Sequence, residues 1–415
     1  MNPTSRSTLI PSSAARSGDD PIFELNAEAR RRAAAGEPVI NCTLGAMMED
    51  DGRLAVMPTV IETLARVPGH EAAAYAPIAG DAPFLRAVVA DVYGDGALAA
   101  QTVAVATPGG SGALYLAVTN FLEPGQALLT TNYYWGPYQT IAAHAGRRLE
   151  SFEMFAPSGG FHFAAFEAAL LRQIERQGRV LLFLNSPCHN PTGYSIDDGE
   201  WDVIAGIVQR AADRAPIAVL VDIAYARYGA KVAPDWARHV PRIVGSATVL
   251  VAWSASKSFA QYGARTGALL ATHPDAAERT RIQNALAFAC RGTWSNCNHL
   301  GLLAITQLLT DPALRARADK DRERLIAVLG ERVAVFNREA AAAGLAHPRY
   351  EGGFFVAVFT PDPQQCAARL REQGMFVVPL TVENGGAVRI ALCSTPASQV
   401  PRLVAALARA VGAGG

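Results

Sequence analysis

Short apolar runs separated by helix-length stretches constrain the fold of this chain more than any other feature. Thr102–Ala106, Ala127–Thr131, Val180–Leu184, Ile217–Val221 and Val249–Trp253 are rich in Val, Ile, Leu and Ala, and glycine-rich, polar or aromatic turns follow them. Strands that alternate with helices point to an α/β fold, a mostly parallel sheet flanked by helices. In such sheets ligands gather beyond the carboxyl ends of the strands. Those ends carry Asn132-Tyr-Tyr-Trp135, His189-Asn190-Pro-Thr-Gly193, Asp222-Ile-Ala-Tyr225 and Ser254-Ala-Ser-Lys257. An aromatic ring, an amide, a carboxylate, a phenol and an amine are thus expected on one rim.

After Gly267 the pattern changes. Ala268–Ala271 adds a strand, and helices are expected over 275–290, 299–309 and 312–344. The β runs 353–359, 375–380 and 387–392 then alternate with helices, the last of which reaches Val411. Near the start, Asp20 caps an expected helix through Arg32, Pro38–Gly45 reads as a strand, and further helices are expected over 57–64 and 83–93. The expected organisation is an N-terminal arm over 1–19, disordered or ordered only against a partner, and a large α/β domain over 51–324. Residues 20–50 with 325–415 would form a smaller α+β domain.

With 415 residues, half of them hydrophobic and 18% charged, the chain has ample material for a core and for two or three domains. Zero net charge gives no support for nucleic acid or an anionic membrane surface as a partner. The six cysteines lack Cys-x-x-Cys spacing, so reduced, packed thiols are expected and a zinc site is not. No signal-peptide core and no run of about eighteen apolar residues occurs, which makes a cytoplasmic location the expectation.

Lysine is scarce, with three against thirty-four arginines. Lys231 and Lys320 lie in polar or loop-like surroundings, whereas Lys257 ends an apolar strand. Desolvation and a neighbouring cation, Arg265, would disfavour its ammonium form and leave a nucleophilic amine suited to Schiff-base formation with an aldehyde. Ser254, Ser256 and Arg265 beside it could hold a phosphate monoester. Thr107-Pro-Gly-Gly-Ser-Gly-Ala113, between a strand and a helix, offers free amides at Gly110 and Ser111 for the same anion. An aldehyde that carries a phosphate is pyridoxal 5'-phosphate (PLP). The plain alternatives are a strand-end lysine snorkelling to water and an empty glycine turn.

Gly-Gly-Ser-Gly at 109–112, His-Asn-Pro-Thr-Gly at 189–193, Asp-x-Ala-Tyr at 222–225, Ser-x-Ser-Lys at 254–257 and Arg265 stand in the order found in class I PLP-dependent aminotransferases. Over residues 20–412 the chain resembles the aspartate and aromatic amino acid aminotransferases most closely. The resemblance implies that Lys257 holds PLP and shuttles a proton, and that Asp222 pairs with the pyridine nitrogen. Tyr225 and Asn190 would bond the ring oxygen, and Trp135 would stack on the ring. Gly110, Ser111, Ser254 and Arg265 would bind the phosphate, joined by Tyr75 from a second subunit of a homodimer. Arg389 would grip the substrate α-carboxylate, assisted by Gly45 and Asn190, and Arg291 would reach across the dimer to a second carboxylate. Read from the residues alone, Gly45 is a turn glycine, Arg389 an outward strand arginine, and Arg291 a helix-end arginine favouring the dipole.

Two departures from the family pattern stand out. Cys297-Asn298 replaces the family's Pro-Pro after Trp294-Ser-Asn296, and Tyr138 and Asn185 occupy places where histidines that support the aspartate are expected. The expected reaction is transfer of an amino group from an acidic or aromatic α-amino acid to a 2-oxo acid. Elimination, substitution or carbon–carbon bond formation on the same cofactor is the alternative, since fold and cofactor do not fix the reaction. A non-catalytic PLP-sensing domain is a third reading, disfavoured because too few residues precede the fold to form a DNA-binding module.

Overall fold

The computed structural model describes residues 7–16, 18, 21–229, 235–383 and 385–412. Asp20, Lys231 and residues 1–6, 17 and 19 of the expected arm lie outside the described residues; within the arm, Pro11–Ala14 forms a short helix. The strands are β1 (Ile40–Asn41), β2 (Thr102–Pro108), β3 (Ala127–Thr131), β4 (Arg148–Phe152), β5 (Val180–Asn185) and β6 (Ile217–Asp222). They continue as β7 (Thr248–Ser254), β8 (Thr266–Thr272), β9 (Phe355–Phe359), β10 (Met375–Phe376), β11 (Val378–Val382) and β12 (Gly385–Ala391).

Seven strands form the main sheet in the order β2-β8-β7-β6-β5-β3-β4. All neighbours pair in parallel except β8, which runs antiparallel to both β2 and β7. Every residue of β5 and β6 is buried, as expected of central parallel strands covered on both faces. Alternate residues feed two cores. Leu181, Phe183, Leu220 and Leu250 pack beneath the helices Gly109–Phe121 and Ala276–Thr293, while Leu182, Leu184, Val219 and Val251 face the opposite layer.

The edge strand β4 was not among the expected runs. Its sequence, Arg-Leu-Glu-Ser-Phe, is half polar, and only Phe152 is fully buried, because one neighbour and one open edge leave little apolar demand. The Pro38–Gly45 run contributes just β1, which pairs with β10. Beyond it the backbone serves other ends, for the Thr43 carbonyl accepts from Arg389. The single run expected over 375–380 is split into β10 and β11, and β11 joins β12 and β9 in a three-stranded antiparallel sheet. Arg291 lies inside the helix Ala276–Thr293, which runs three residues past the expected end.

The helix Pro312–Ala342 spans both regions. From it, buried Arg322 donates to the Ser258 carbonyl at 2.7 Å, beside Lys257. Ten residues on, buried Arg332 donates to the Cys393 carbonyl at 2.6 Å and the Met48 carbonyl at 2.8 Å. The six cysteines are free, and all but the partly buried Cys297 are buried. Among the described residues no helix is long and apolar enough to cross a membrane.

His189 illustrates how burial near the rim sets charge. Its Nδ1 lies 2.8 Å from Thr192 Oγ1 and desolvation pushes its pKa from 6.5 down to about 3. The unfolded chain therefore binds a proton that the folded one refuses, so this contribution to stability is complete above pH 6.5 and is lost as pH falls towards 3. The stability advantage of the wild type over His189→Asn should shrink between pH 7 and pH 4 in chemical denaturation; a constant difference would show that folding leaves the proton affinity of His189 unchanged.

Candidate active site

Strand register assembles the site. Asn185 pairs with Asp222, Asp222 with Ala252, Ser254 with Gly267, and Gly267 with Thr107. The ends of β5, β6, β7, β8 and β2 thus form one line, and the residues just beyond them share a rim. Ser254 caps the short turn Ala255–Ser258 by accepting from Ser256 N at 3.1 Å, which turns Lys257 back over the sheet.

Lys257 Nζ lies 5.3 Å from the centre of the Tyr225 ring and makes no hydrogen bond to any described residue. Burial lowers its pKa, Arg265 lowers it further, and Asp222 acts the other way. Asp222 is buried, and desolvation raises its pKa. Two hydrogen bonds oppose that rise: Tyr138 OH donates to Oδ2 at 2.6 Å, and Ala224 N donates to Oδ1 at 3.1 Å. Tyr138 was noted in the sequence only as a departure. It is here the side chain that holds Asp222, itself wedged edge-on between Phe183 and Trp135. Asn185 supports the same turn by donating to the Asp222 carbonyl at 2.8 Å and accepting from Asn190 N at 2.6 Å.

At the other end of the rim, Gly110 and Ser111 occupy the first turn of Gly109–Phe121, a helix whose start has no side-chain cap. Its first amides are therefore open to an anion. Arg265, at a φ of +53°, donates to Ser256 Oγ at 3.3 Å and to the Pro108 carbonyl at 3.2 Å. A side chain at Gly109 would run into this guanidinium, and one at Gly267 would lie 2.6 Å from the Gly109 carbonyl carbon. Glycine at both places lets the arginine lie along the helix start.

Across the cleft, buried Arg389 on β12 lies 4.4 Å above the Phe355 ring. It donates to the Thr43 carbonyl at 2.5 Å and to Asn190 Oδ1 at 3.4 Å, while Asn190 Nδ2 faces Tyr225 OH at 3.5 Å. Gly45 packs its Cα against the edge of the same Phe355, where a Cβ would clash. Phe355 was not singled out in the sequence, where it reads as one apolar strand residue among several. A cavity of about 420 Å³ opens beside Arg389, lined by Asn190, Trp135, Tyr134, Leu380 and Ile22 among others.

Lys257, Asp222, Tyr225, Asn190, Ser254, Arg265, Gly110, Ser111, Trp135 and Arg389 are therefore neighbours around one cleft. Tyr75 and Arg291 are not part of it within the chain. Tyr75 is 90% exposed, and the exposed Arg291 donates to Ser295 Oγ at 2.7 Å.

The chain matches the family described as aminotransferase class I and II over residues 37–407. It is 31% identical over 303 residues to an aromatic-amino-acid aminotransferase of Paracoccus denitrificans, covering 72% of this chain and 74% of that one. An aminotransferase structure from Anaerococcus prevotii superposes with a TM-score of 0.90 at 28% identity, covering 98% of this chain and all of that one. An aromatic-amino-acid aminotransferase from Burkholderia pseudomallei, covalently bound to pyridoxal phosphate, superposes at 0.77 with 25% identity and coverage of 97% and 100%. With a family match that runs from before the first strand of the sheet into the closing helix, the chain belongs to the class I and II aminotransferases.

Proposed function

We propose that this aminotransferase uses PLP to move the amino group of a large aromatic α-amino acid to a 2-oxo acid. The observation that carries the choice of donor is the Arg389 cavity. Arg389 is its only charged lining residue among those described, and the remaining wall is largely aromatic and aliphatic. An aromatic side chain gains from that wall, whereas a second carboxylate finds no cationic partner on it among the described residues of the same subunit and would depend on Arg291 of the partner subunit. The relative from Paracoccus denitrificans, an aromatic-amino-acid aminotransferase, supports the same choice.

The rim fits PLP by the chemistry of its groups. Open amides at Gly110 and Ser111, the Ser254 and Ser256 hydroxyls and the Arg265 fork suit a phosphate, and the glycines at 109 and 267 leave room for that fork. When bound, PLP supplies an aldehyde that captures the amino group and a cationic ring that withdraws electrons from the donor's α-carbon. Buried Asp222 would hold the proton of the ring nitrogen, with Tyr138 orienting the carboxyl and opposing the rise that burial imposes on its pKa. Tyr225 and Asn190 would orient the ring oxygen, and Trp135 would cover a ring face. Lys257 Nζ, its ammonium form disfavoured by burial, would anchor the cofactor and then take the α-proton and return it. Arg389, steadied by Phe355, Thr43 and Asn190, would bind the α-carboxylate through a two-pronged fork. Gly45 would contribute by keeping its side of Phe355 clear.

A homodimer with shared sites belongs to this reading. It is supported by the exposure of Tyr75 (90%) and Phe288 (83%), the latter on the helix that carries Arg291. In it Tyr75 would reach the partner's phosphate, and Arg291 would face the partner's cleft. Residues 51–324 would form the cofactor-holding domain and residues 20–50 with 325–415 the smaller one, since β1 joins β10 outside the main sheet.

Lys257→Ala should abolish transfer from phenylalanine to 2-oxoglutarate, measured as phenylpyruvate released; multiple turnovers would refute its role. Arg389→Ala should lower kcat/KM for every α-amino acid by about 10²–10³-fold. Arg291→Ala should weaken only dicarboxylic donors, and equal losses for aspartate and phenylalanine would remove it from the substrate site. Tyr138→Phe should weaken PLP binding to the apoprotein about ten-fold, followed by fluorescence titration, because a hydrogen bond to a buried carboxylate is lost. Unchanged affinity would separate Tyr138 from the hold on Asp222.

A further inference from the structure

Asn298 caps the helix His299–Thr310, and His299 opens it. The Asn298 side chain accepts from Gly301 N at 3.4 Å and donates through Nδ2 to the Ala264 carbonyl at 2.8 Å. The next side chain reaches in another direction. His299 Nδ1 lies 2.9 Å from the Ala74 carbonyl, which can only accept, so the ring donates there. Each of these carbonyls belongs to the peptide group that supplies the nitrogen of the following residue, Arg265 in one case and Tyr75 in the other. A peptide group is planar, so holding its oxygen fixes the plane from which the next residue departs.

Both planes need a hold. Arg265 has a φ of +53°, a conformation that costs energy for a residue with a side chain. Tyr75 is 90% exposed in an irregular loop, and among the described residues His299 is the only side chain hydrogen-bonded to the stretch 74–78. His299 also meets the far end of that loop. Its Nε2 lies 3.1 Å from Asp81 Oδ2, at ion-pair distance from a buried oxygen that accepts no hydrogen bond among the described residues. Asn298 stands where the chain departs from the family's Pro-Pro, and a proline there would have no side-chain donor for Ala264.

We infer that Asn298 and His299 are positioning residues for two different cofactor sites. Asn298 sets the backbone of Arg265 for the phosphate of its own subunit, and His299 sets the loop that delivers Tyr75 to the phosphate of the partner subunit. This deepens the proposed function and rests on its homodimer and on its assignment of Arg265 and Tyr75 to the phosphate. The two contacts, made by adjacent residues to the peptides that lead into those two side chains, carry the inference.

The test co-expresses two differently tagged full chains and isolates the hybrid dimer, one subunit wild type and the other carrying one substitution. The apoprotein is equilibrated with PLP below saturation, the link to Lys257 is fixed with borohydride, and mass spectrometry reads the occupancy of each subunit. With His299→Ala, half-occupancy of the wild-type subunit should need about five-fold more PLP, as expected for one lost hydrogen bond, while the substituted subunit loads normally. Asn298→Ala should do the reverse and impair only the subunit that carries it. His299→Gln keeps a donor for the Ala74 carbonyl and should give a smaller loss in the same wild-type subunit, which guards against a His299→Ala chain that fails to fold. For the His299 variants, a loss confined to the substituted subunit, equal losses in both, or no loss in either would overturn the inference. Tyr75→Phe in the same hybrid separates the two readings: it should impair the wild-type subunit, and if it does so while the His299 variants do not, the inference falls alone. If Tyr75→Phe leaves the wild-type subunit unchanged, or the chain forms no dimer, the shared-site reading falls with it.

Discussion

The main-chain hydrogen bonds between β5, β6, β7, β8 and β2 are the constraint on which the site depends. They lock Asn185, Asp222, Ser254 and Gly267 into a line whose spacing no single side chain could maintain. A slip of one residue in β6 would turn Asp222 to the other face of the sheet and exchange the two cores. The near-continuous burial of β5 and β6 opposes such a slip only in part, since both of their faces are apolar. The polar residues at their ends, bonded to one another through Asn185, supply the remaining specificity.

Against this frame, the electrostatics of the rim follow from desolvation. Lys257 and Asp222 are both driven towards their neutral forms by burial, and each is drawn back by the other. Tyr138 opposes the rise at the carboxyl through a direct 2.6 Å hydrogen bond, while burial remains the larger effect. The environment therefore presents an amine ready to react and a carboxyl whose ionised form depends on having a positive neighbour. In the proposed complex a cofactor ring with a protonated nitrogen would meet that need and link the occupancy of the site to its charge state.

Much of this was legible in the sequence because it depends on local pattern. Apolar runs ending in Asn, Asp and Ser-x-Ser-Lys locate the strands and their rim, and glycines at 109–112 mark the helix start. What was hidden depends on tertiary contact. The edge strand β4 carries no apolar signature, since one of its sides has no strand to satisfy. Gly45 reads as a turn glycine, yet the Phe355 ring is pressed against it from 310 positions away in sequence. Tyr138 declares its role only when β6 brings Asp222 to it. Arg291 belongs to its helix because nothing between Cys290 and Thr293 breaks the helical path.

The helix Pro312–Ala342 holds the turn after Lys257 through Arg322 and the end of β12 through Arg332. Those two arginines are ten residues apart on one rod, about 15 Å at the rise of an α-helix. The gap between Lys257 and Arg389, the proposed amine and carboxylate anchor, is thus gauged by a ruler outside the cleft. Lengthening or shortening that rod by a residue would rotate one arginine by about 100° relative to the other. In the proposed site, substrate reach would be set by a helix that lies outside the cleft.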